Sequence, residues 1–170
     1  TTSDPAAPKL DPDAFLMAGT AGWAELNLLP GEANVFFEGT FVGKTVIDPR
    51  SVRDTLFFSL GRDHRIVVKR QRIKDYNARA IIGLNQKESH GYEINIRNNK
   101  AEAITITVED HIPVSMNNQI EVSLLDGGGA KFTPMDGKLV WEITLKPNET
   151  RRLAYLFAVK YPKDKVIAGL

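Results

Sequence analysis

Apolar side chains recur at every second position through much of this chain. Between His90 and Ser115, Tyr92, Ile94 and Ile96 alternate with Glu93, Asn95 and Arg97, and Ile104, Ile106 and Val108 alternate with Thr105, Thr107 and Glu109. Successive side chains of a strand point to opposite faces, so each run has one apolar and one polar face. Asn98-Asn99-Lys100 separates the runs, and Asn suits turns because it tolerates left-handed backbone and bonds its own backbone. The spacing predicts two antiparallel strands joined by a short turn, with one face in a core. A lone hairpin is not stable in water, so the rest of the chain must supply a second layer.

The same rhythm appears elsewhere. Ala14 to Ala18 reads as a short strand, Trp23 to Leu29 as another, stopped by Pro30-Gly31. Val35 to Ile47 reads as a hairpin turning at Glu38-Gly39-Thr40, and Gly43 inside the return strand predicts a bulge or close backbone contact. Leu56, Phe58 and Leu60 form a further strand. Gly61-Arg62-Asp63-His64 is expected to turn before a strand that runs from Ile66 through Ile73. Arg79 to Ile82 is a brief strand. Ile120, Val122 and Leu124 share one face, Asp126-Gly127-Gly128-Gly129 is expected as a floppy connection, and Leu139, Trp141, Ile143 and Leu145 point one way. Pro147-Asn148-Glu149 turns into a last long strand through Leu153, Tyr155, Phe157, Val159 and Tyr161, whose other face (Ala154, Leu156, Ala158) suggests cover on both sides. About ten strands and no helical periodicity predict an all-β protein, an antiparallel β-sandwich.

Composition narrows the functional classes. A chain of 170 residues can bury roughly 70 % of its unfolded surface, so it needs no metal or disulfide to fold. The absence of cysteine excludes a disulfide scaffold and thiolate chemistry without fixing a compartment. A net charge of +1 does not suit a general nucleic-acid or anionic-membrane binder, and no apolar run is long enough to span a bilayer. The polar opening Thr1 to Pro12, with Pro5, Pro8 and Pro12 and no initial Met, is expected to be a linker or tail of a trimmed or mature fragment.

Several phrases, in order, resemble a known family: Leu28 to Val35 (LLPGEANV), Phe37 to Lys44 (FEGTFVGK), Ser59 to Asp63 leading to Ile66 to Arg70, Asp110 to Ser115 (DHIPVS), and Tyr161-Pro162-Lys163. From about Ala14 on, the chain resembles the C-terminal domain of mucoidy-inhibitor-type bacterial proteins, a family labelled as a domain of unknown function. That resemblance implies an envelope-associated or exported bacterial protein in which the domain follows an N-terminal domain and a coiled coil, and it offers no catalytic residues to carry over. Tyr92 to Pro113 with Trp141 to Tyr161 also resembles bacterial surface immunoglobulin-like repeats. The organisation expected is a tail over 1–12, a small β unit over 13–74 and an immunoglobulin-like sandwich over 75–170.

Candidate chemistry is sparse. His64, His90 and His111 lack the spacing of a local metal motif, and the loop carboxylates Asp126 and Asp136 lack a calcium ladder. Asp110, His111 and Ser115 are close in sequence, but in extended chain Asp110 and His111 face opposite sides, and no nucleophile elbow is present. Asp110 and Pro113 read instead as a structural turn or cap. The Gly127 run lacks the Gly-Lys-Ser/Thr of a phosphate loop, so no cofactor is expected.

The stretch 62–79 holds seven cationic side chains against two carboxylates, a local charge of +5, and Arg65, Lys69, Arg70, Arg72 and Lys74 are candidate polyanion ligands. A charged edge strand protected from aggregation explains the same residues. Aromatics such as Phe36, Phe37, Phe41, Phe57, Phe58, Trp23 and Trp141 are either core or a sugar platform, with Phe36 and Phe57 of outward parity. The reading that results is a non-catalytic structural or protein-interaction module. Its partner would be another protein or its own upstream coiled coil. The alternative is a carbohydrate- or polyanion-binding module.

Overall fold

The computed structural model describes residues 2–7, 11–21, 28–37, 39–48, 55–76 and 79–165. They form twelve strands: β1 (Thr2–Ala7), β2 (Asp11–Ala21), β3 (Gly31–Phe37), β4 (Thr40–Ile47), β5 (Thr55–Ile73), β6 (Arg79–Ile82), β7 (Asn85–Asn98), β8 (Ile104–His111), β9 (Glu121–Asp126), β10 (Lys131–Thr133), β11 (Lys138–Leu145) and β12 (Thr150–Pro162). A single 3-10 turn, Lys74–Tyr76, is the only helical piece among the described residues. The all-β class expected from the period-two pattern is the class observed.

Ten strands form one sheet: nine run in the order β10-β11-β8-β1-β2-β5-β7-β12-β9, and β6 lies beside β7 in line with β5. The sheet curls over on itself. β8 and β11 lie several strands away from β5, β7 and β12 in that order, yet the two sets meet face to face: the rings of Trp141 and Tyr155 are 5.9 Å apart, and Arg70 reaches Asp110. Between them Ile94, Ile96, Ile106, Val108, Leu139 and Tyr155 are fully buried. β1 joins the two layers, antiparallel to β2 and parallel to β8. The tail expected over 1–12 is therefore a strand and the start of a second one, because its backbone finds partners on both sides.

The central hairpin does not exist as a pair. β7 pairs with β5, β6 and β12, and β8 pairs with β1 and β11. The chain between them crosses from one layer to the other. Period two says which face is apolar but not which strand lies alongside, and two apolar faces opposed across a core satisfy it as well as two coplanar ones. The Asn98 side chain holds this crossing: its Nδ2 donates to the carbonyls of Glu102 (2.9 Å) and Lys146 (3.0 Å), and its Oδ1 accepts from the Lys100 N–H (3.0 Å). β11 and β12 are likewise in different layers, joined through Asn148, whose φ of 58° is the only positive value at a non-glycine among the described residues.

The expected turn at 61–64 lies inside β5. Gly61 (φ 104°) and extra residues opposite Phe15 bend that strand without breaking it. β5 then pairs with β7 from Ile66↔Asn98 to Ile73↔Gly91, so the division expected near residue 75 falls between two hydrogen-bonded neighbours of one sheet. The 126–129 segment is a packed turn. Trp141 Nε1 donates to the carbonyls of Gly127 (3.1 Å) and Gly128 (3.0 Å), the Gly128 N–H donates to Asp126 Oδ1 (2.8 Å), and a Cβ on Gly128 would stand 2.0 Å from the Ala154 carbonyl oxygen.

β3 and β4 form a separate two-stranded sheet. Their register skips Val42 between Val35↔Gly43 and Phe36↔Phe41, a bulge at the glycine where one was expected. Most of the expected strand over 23–29 lies outside the described residues. On the outer side of β12, Ala158 is buried and Leu156 half-buried, and Gly91 of β7 sits beneath Ile73 at the end of β5 and Tyr76 of the 3-10 turn.

Candidate functional site

The sandwich places its polar groups in three ways: pinned in the core, gathered at one corner, or spread over the outer sheet. Asp110, fully buried at the end of β8, is the core pin. Its Oδ2 accepts from Arg70 Nε and from the Tyr155 hydroxyl, both at 2.8 Å, and its Oδ1 accepts from the His111 N–H at 2.8 Å. Arg70 also donates to the Tyr155 hydroxyl (2.7 Å) and lies 3.8 Å over the Tyr92 ring. Burial works against the Arg70 charge, but Asp110 outweighs it and holds the guanidinium more firmly protonated than usual. Burial and then the Asp110 charge push the Tyr155 hydroxyl far above the ordinary tyrosine range. Such a hydroxyl is a hydrogen-bond donor fixed between two charges, with no route to becoming a nucleophile at ordinary pH.

The second cluster lies at the far end of β7. Glu88 Oε1 accepts from Gln86 Nε2 (2.8 Å) and the Tyr161 hydroxyl, and pairs with Arg79 Nε (3.0 Å). His90 lies beside it, its ring stacked on Phe157 at 5.2 Å. Near the β7–β8 crossing, Asp63 and Lys100 form a buried ion pair at 2.6 Å. Among the described residues no three His, Asp or Glu side chains stand close enough to share a metal ion. His64 is exposed, His111 half-buried at the end of β8, and His90 enclosed.

The basic run is not one stripe. Alternation along β5 sends Arg65 and Lys69 to the outer face and puts Arg70 and Arg72 on the face of Ile66 and Val68, where Arg70 is half-buried and Arg72 stays exposed. Arg70 is engaged by Asp110. Arg72 Nη2 donates to the Tyr92 hydroxyl at 3.0 Å. Lys74 leaves the strand in the 3-10 turn. Arg65 pairs with Asp63 at 3.5 Å. On the neighbouring outer surface Glu93 meets Gln71, Arg152 and Asn95, so that face carries both signs. The cations that sequence groups together are divided between two faces and partly neutralised.

Among the described residues, two open apolar surfaces stand out. The β3–β4 hairpin projects Phe36 (63 % exposed) and Phe41 (52 % exposed), set edge to face at 5.6 Å, with Phe37 and Val46 also exposed. The second is a cleft of about 400 Å³ between the free edges of β9 and β10, lined by Ile112, Pro113, Val122, Leu124 and Phe132. Val114 is exposed on its wall, and Met116 and Met135 are exposed in the neighbouring loops. Pro113 therefore lines a cleft, while Asp110 lies beneath it in the core.

Sequence reasoning missed the Arg70–Asp110 pair and the Glu88–His90 corner. The signal was present as parity: Asp110 falls in phase with Ile106 and Val108, Arg70 with Ile66 and Val68, and Glu88 and His90 with Tyr92 and Ile94.

Against known proteins, the chain is similar to Protein F37C4.5 of Caenorhabditis elegans, with 22 % identity over 180 residues, covering 97 % of this chain and 32 % of the relative. The chain thus spans about a third of the length of that curated relative. The sequence profile of the family described as "Domain of unknown function (DUF4139)" matches residues 6–163. With nearly all twelve strands inside that match, the chain belongs to this family.

Proposed function

We propose that this domain is a non-catalytic protein-interaction module, and that the tip of the β3–β4 hairpin is its contact surface. The observation that carries the proposal is the exposed, edge-to-face pair of Phe36 and Phe41 on a two-stranded sheet that shares no hydrogen-bonded ladder with the main sheet. Exposed rings gathered on a monomer mark interaction sites, and aromatic anchors dominate the energetics of protein interfaces. The polar clusters support the non-catalytic part: Asp110, Arg70, Tyr155 and Glu88 are engaged with one another.

A sugar platform is the second reading, favoured by the exposure of the same rings. The 65° angle between Phe36 and Phe41 speaks against it, since sugars stack on flat ring faces and this pair offers one face and one edge. The division of the basic run between two faces weakens a polyanion site. An envelope or exported setting, the mucoidy-inhibitor link and an immunoglobulin-like second half belong to this proposal as implications of resemblance. A relative in an animal moves its weight from a bacterial envelope to the surface itself.

The test is site-specific photo-crosslinking in the full-length native protein, with a benzophenone amino acid at position 36 and a control at exposed Asp164. A discrete protein adduct from position 36 that Phe41→Ser weakens supports the reading. No adduct, together with retention on a glycan array that the same substitution abolishes, overturns it in favour of sugar binding. Elution from heparin at low salt removes the polyanion alternative.

A further inference from the structure

His90 points into the sandwich with Tyr92 and Ile94, is 5 % exposed, and has no hydrogen-bond partner at either ring nitrogen among the described residues. A neutral imidazole carries one donor and one acceptor, so burying both unpaired is unfavourable. Its surroundings are specific. Phe157 of β12 stacks on the ring. Glu88 Oε2 of β7 lies 3.7 Å from Nε2. The charges of Arg72 on β5 and Arg79 on β6 act on it, and the Tyr161 hydroxyl of β12 occupies the other Glu88 oxygen.

We propose that His90 is an acid-sensitive latch: a proton on its ring loosens the corner where β6 and the 85–90 half of β7 meet the end of β12. The neutral ring suits the stack on Phe157. Among the described residues, the charged ring is repelled by Arg72 and Arg79 and attracted by Glu88, whose Oε1 is already held by Arg79, Gln86 and Tyr161. If Glu88 turns to the imidazolium, it leaves Arg79, the side-chain tie between β6 and β7. If it does not, the charge stays buried 3.7 Å from Glu88 Oε2, too far for a hydrogen bond. Both outcomes weaken the same corner.

The sign follows from the environment. Burial first, and then Arg72, hold the ring's proton affinity below the ordinary 6.5, with Glu88 acting the other way. The unfolded chain therefore takes up the proton more readily than the folded one. The His90 contribution to stability is complete above about 6.5 and is lost as pH falls below it.

Amide hydrogen exchange tests the latch. Between about pH 7.5 and about pH 5, after correction for intrinsic exchange, protection of β6 and residues 85–90 should fall about tenfold more than that of the β8–β11 pair, and His90→Phe should abolish the excess. Equal loss in both regions, or an excess that persists in His90→Phe, overturns the proposal. A proton NMR titration of the wild-type ring needs no variant. A midpoint below 6.5 is expected, and a midpoint at or above it overturns the proposal.

Discussion

Arg70 and Asp110 stand 40 residues apart in sequence and 2.8 Å apart in space, joining β5 to β8 across the core. The bond crosses between layers that share no ladder at that point, so it fixes how one face of the curled sheet sits over the other. Tyr155 adds a third strand, β12, through its hydroxyl at 2.8 Å.

Removing the carboxylate leaves a mostly buried guanidinium without its counter-charge. Asp110→Asn should cost roughly 3–5 kcal/mol, and Tyr155→Phe about 1–1.5 kcal/mol. Arg70→Met combined with Asp110→Leu should recover much of the loss, since an apolar pair can replace a buried ion pair. Urea unfolding of the four proteins checks the order. A double variant no more stable than Asp110→Asn would count against a pin that acts through charge.

Two adjacent glycines should respond differently to the same change. Gly129 has φ 83° and open space, so Gly129→Ala meets only the left-handed penalty of about 1–2 kcal/mol. Gly128→Ala adds a Cβ 2.0 Å from the Ala154 carbonyl oxygen and must shift β12 or the turn, for a total of roughly 3 kcal/mol or more. Thermal unfolding midpoints rank the two, and equal shifts would refute the packed turn.

At the β7–β8 crossing, Asn98→Asp keeps the shape and removes both donors to the Glu102 and Lys146 carbonyls. The carboxylate then faces two carbonyl oxygens in a buried site, and the loss should exceed about 2 kcal/mol at neutral pH. Partial recovery below about pH 4, where the new side chain is protonated and regains one donor, is the distinguishing readout.

The acid limb of stability should depend on Asp63. Burial works against its charge, but the Lys100 ammonium and the Arg65 N–H outweigh it, so the carboxyl lies below its ordinary 3.8. The unfolded chain binds this proton first on acidification. Its contribution is therefore present above 3.8 and lost as pH falls below that value. Asp63→Asn should flatten the slope of unfolding free energy against pH in that range without abolishing it, because Glu88 lies below its ordinary value too. An unchanged slope would disprove the assignment.

Phe36→Ser and Phe41→Ser should each change stability by less than about 1 kcal/mol, since both rings are more than half exposed. Differential scanning calorimetry checks this. A large loss would place the pair in a hidden core and remove the basis for an interaction tip.

By itself, the sequence determined the strands and their faces. The alternation of Tyr92, Ile94 and Ile96, and of Leu139 and Trp141, marks which side of each strand meets the core, and Gly43 marks a bulge that is there. Those features are local, because apolar burial and backbone pleat act residue by residue. Pairing is not local. The tertiary structure decided that β7 and β8 oppose each other across a core, that Thr2–Ala7 completes two layers, and that Gly61 bends a strand in place of ending it. It also decided that Arg70 belongs with Asp110 while Lys69 belongs to the surface. A strand's hydrogen bonds specify only that some neighbour exists. Which one it is depends on how apolar faces from distant parts of the chain close over one another, and that closure also brought Glu88 and His90 together and left Phe36 and Phe41 outside.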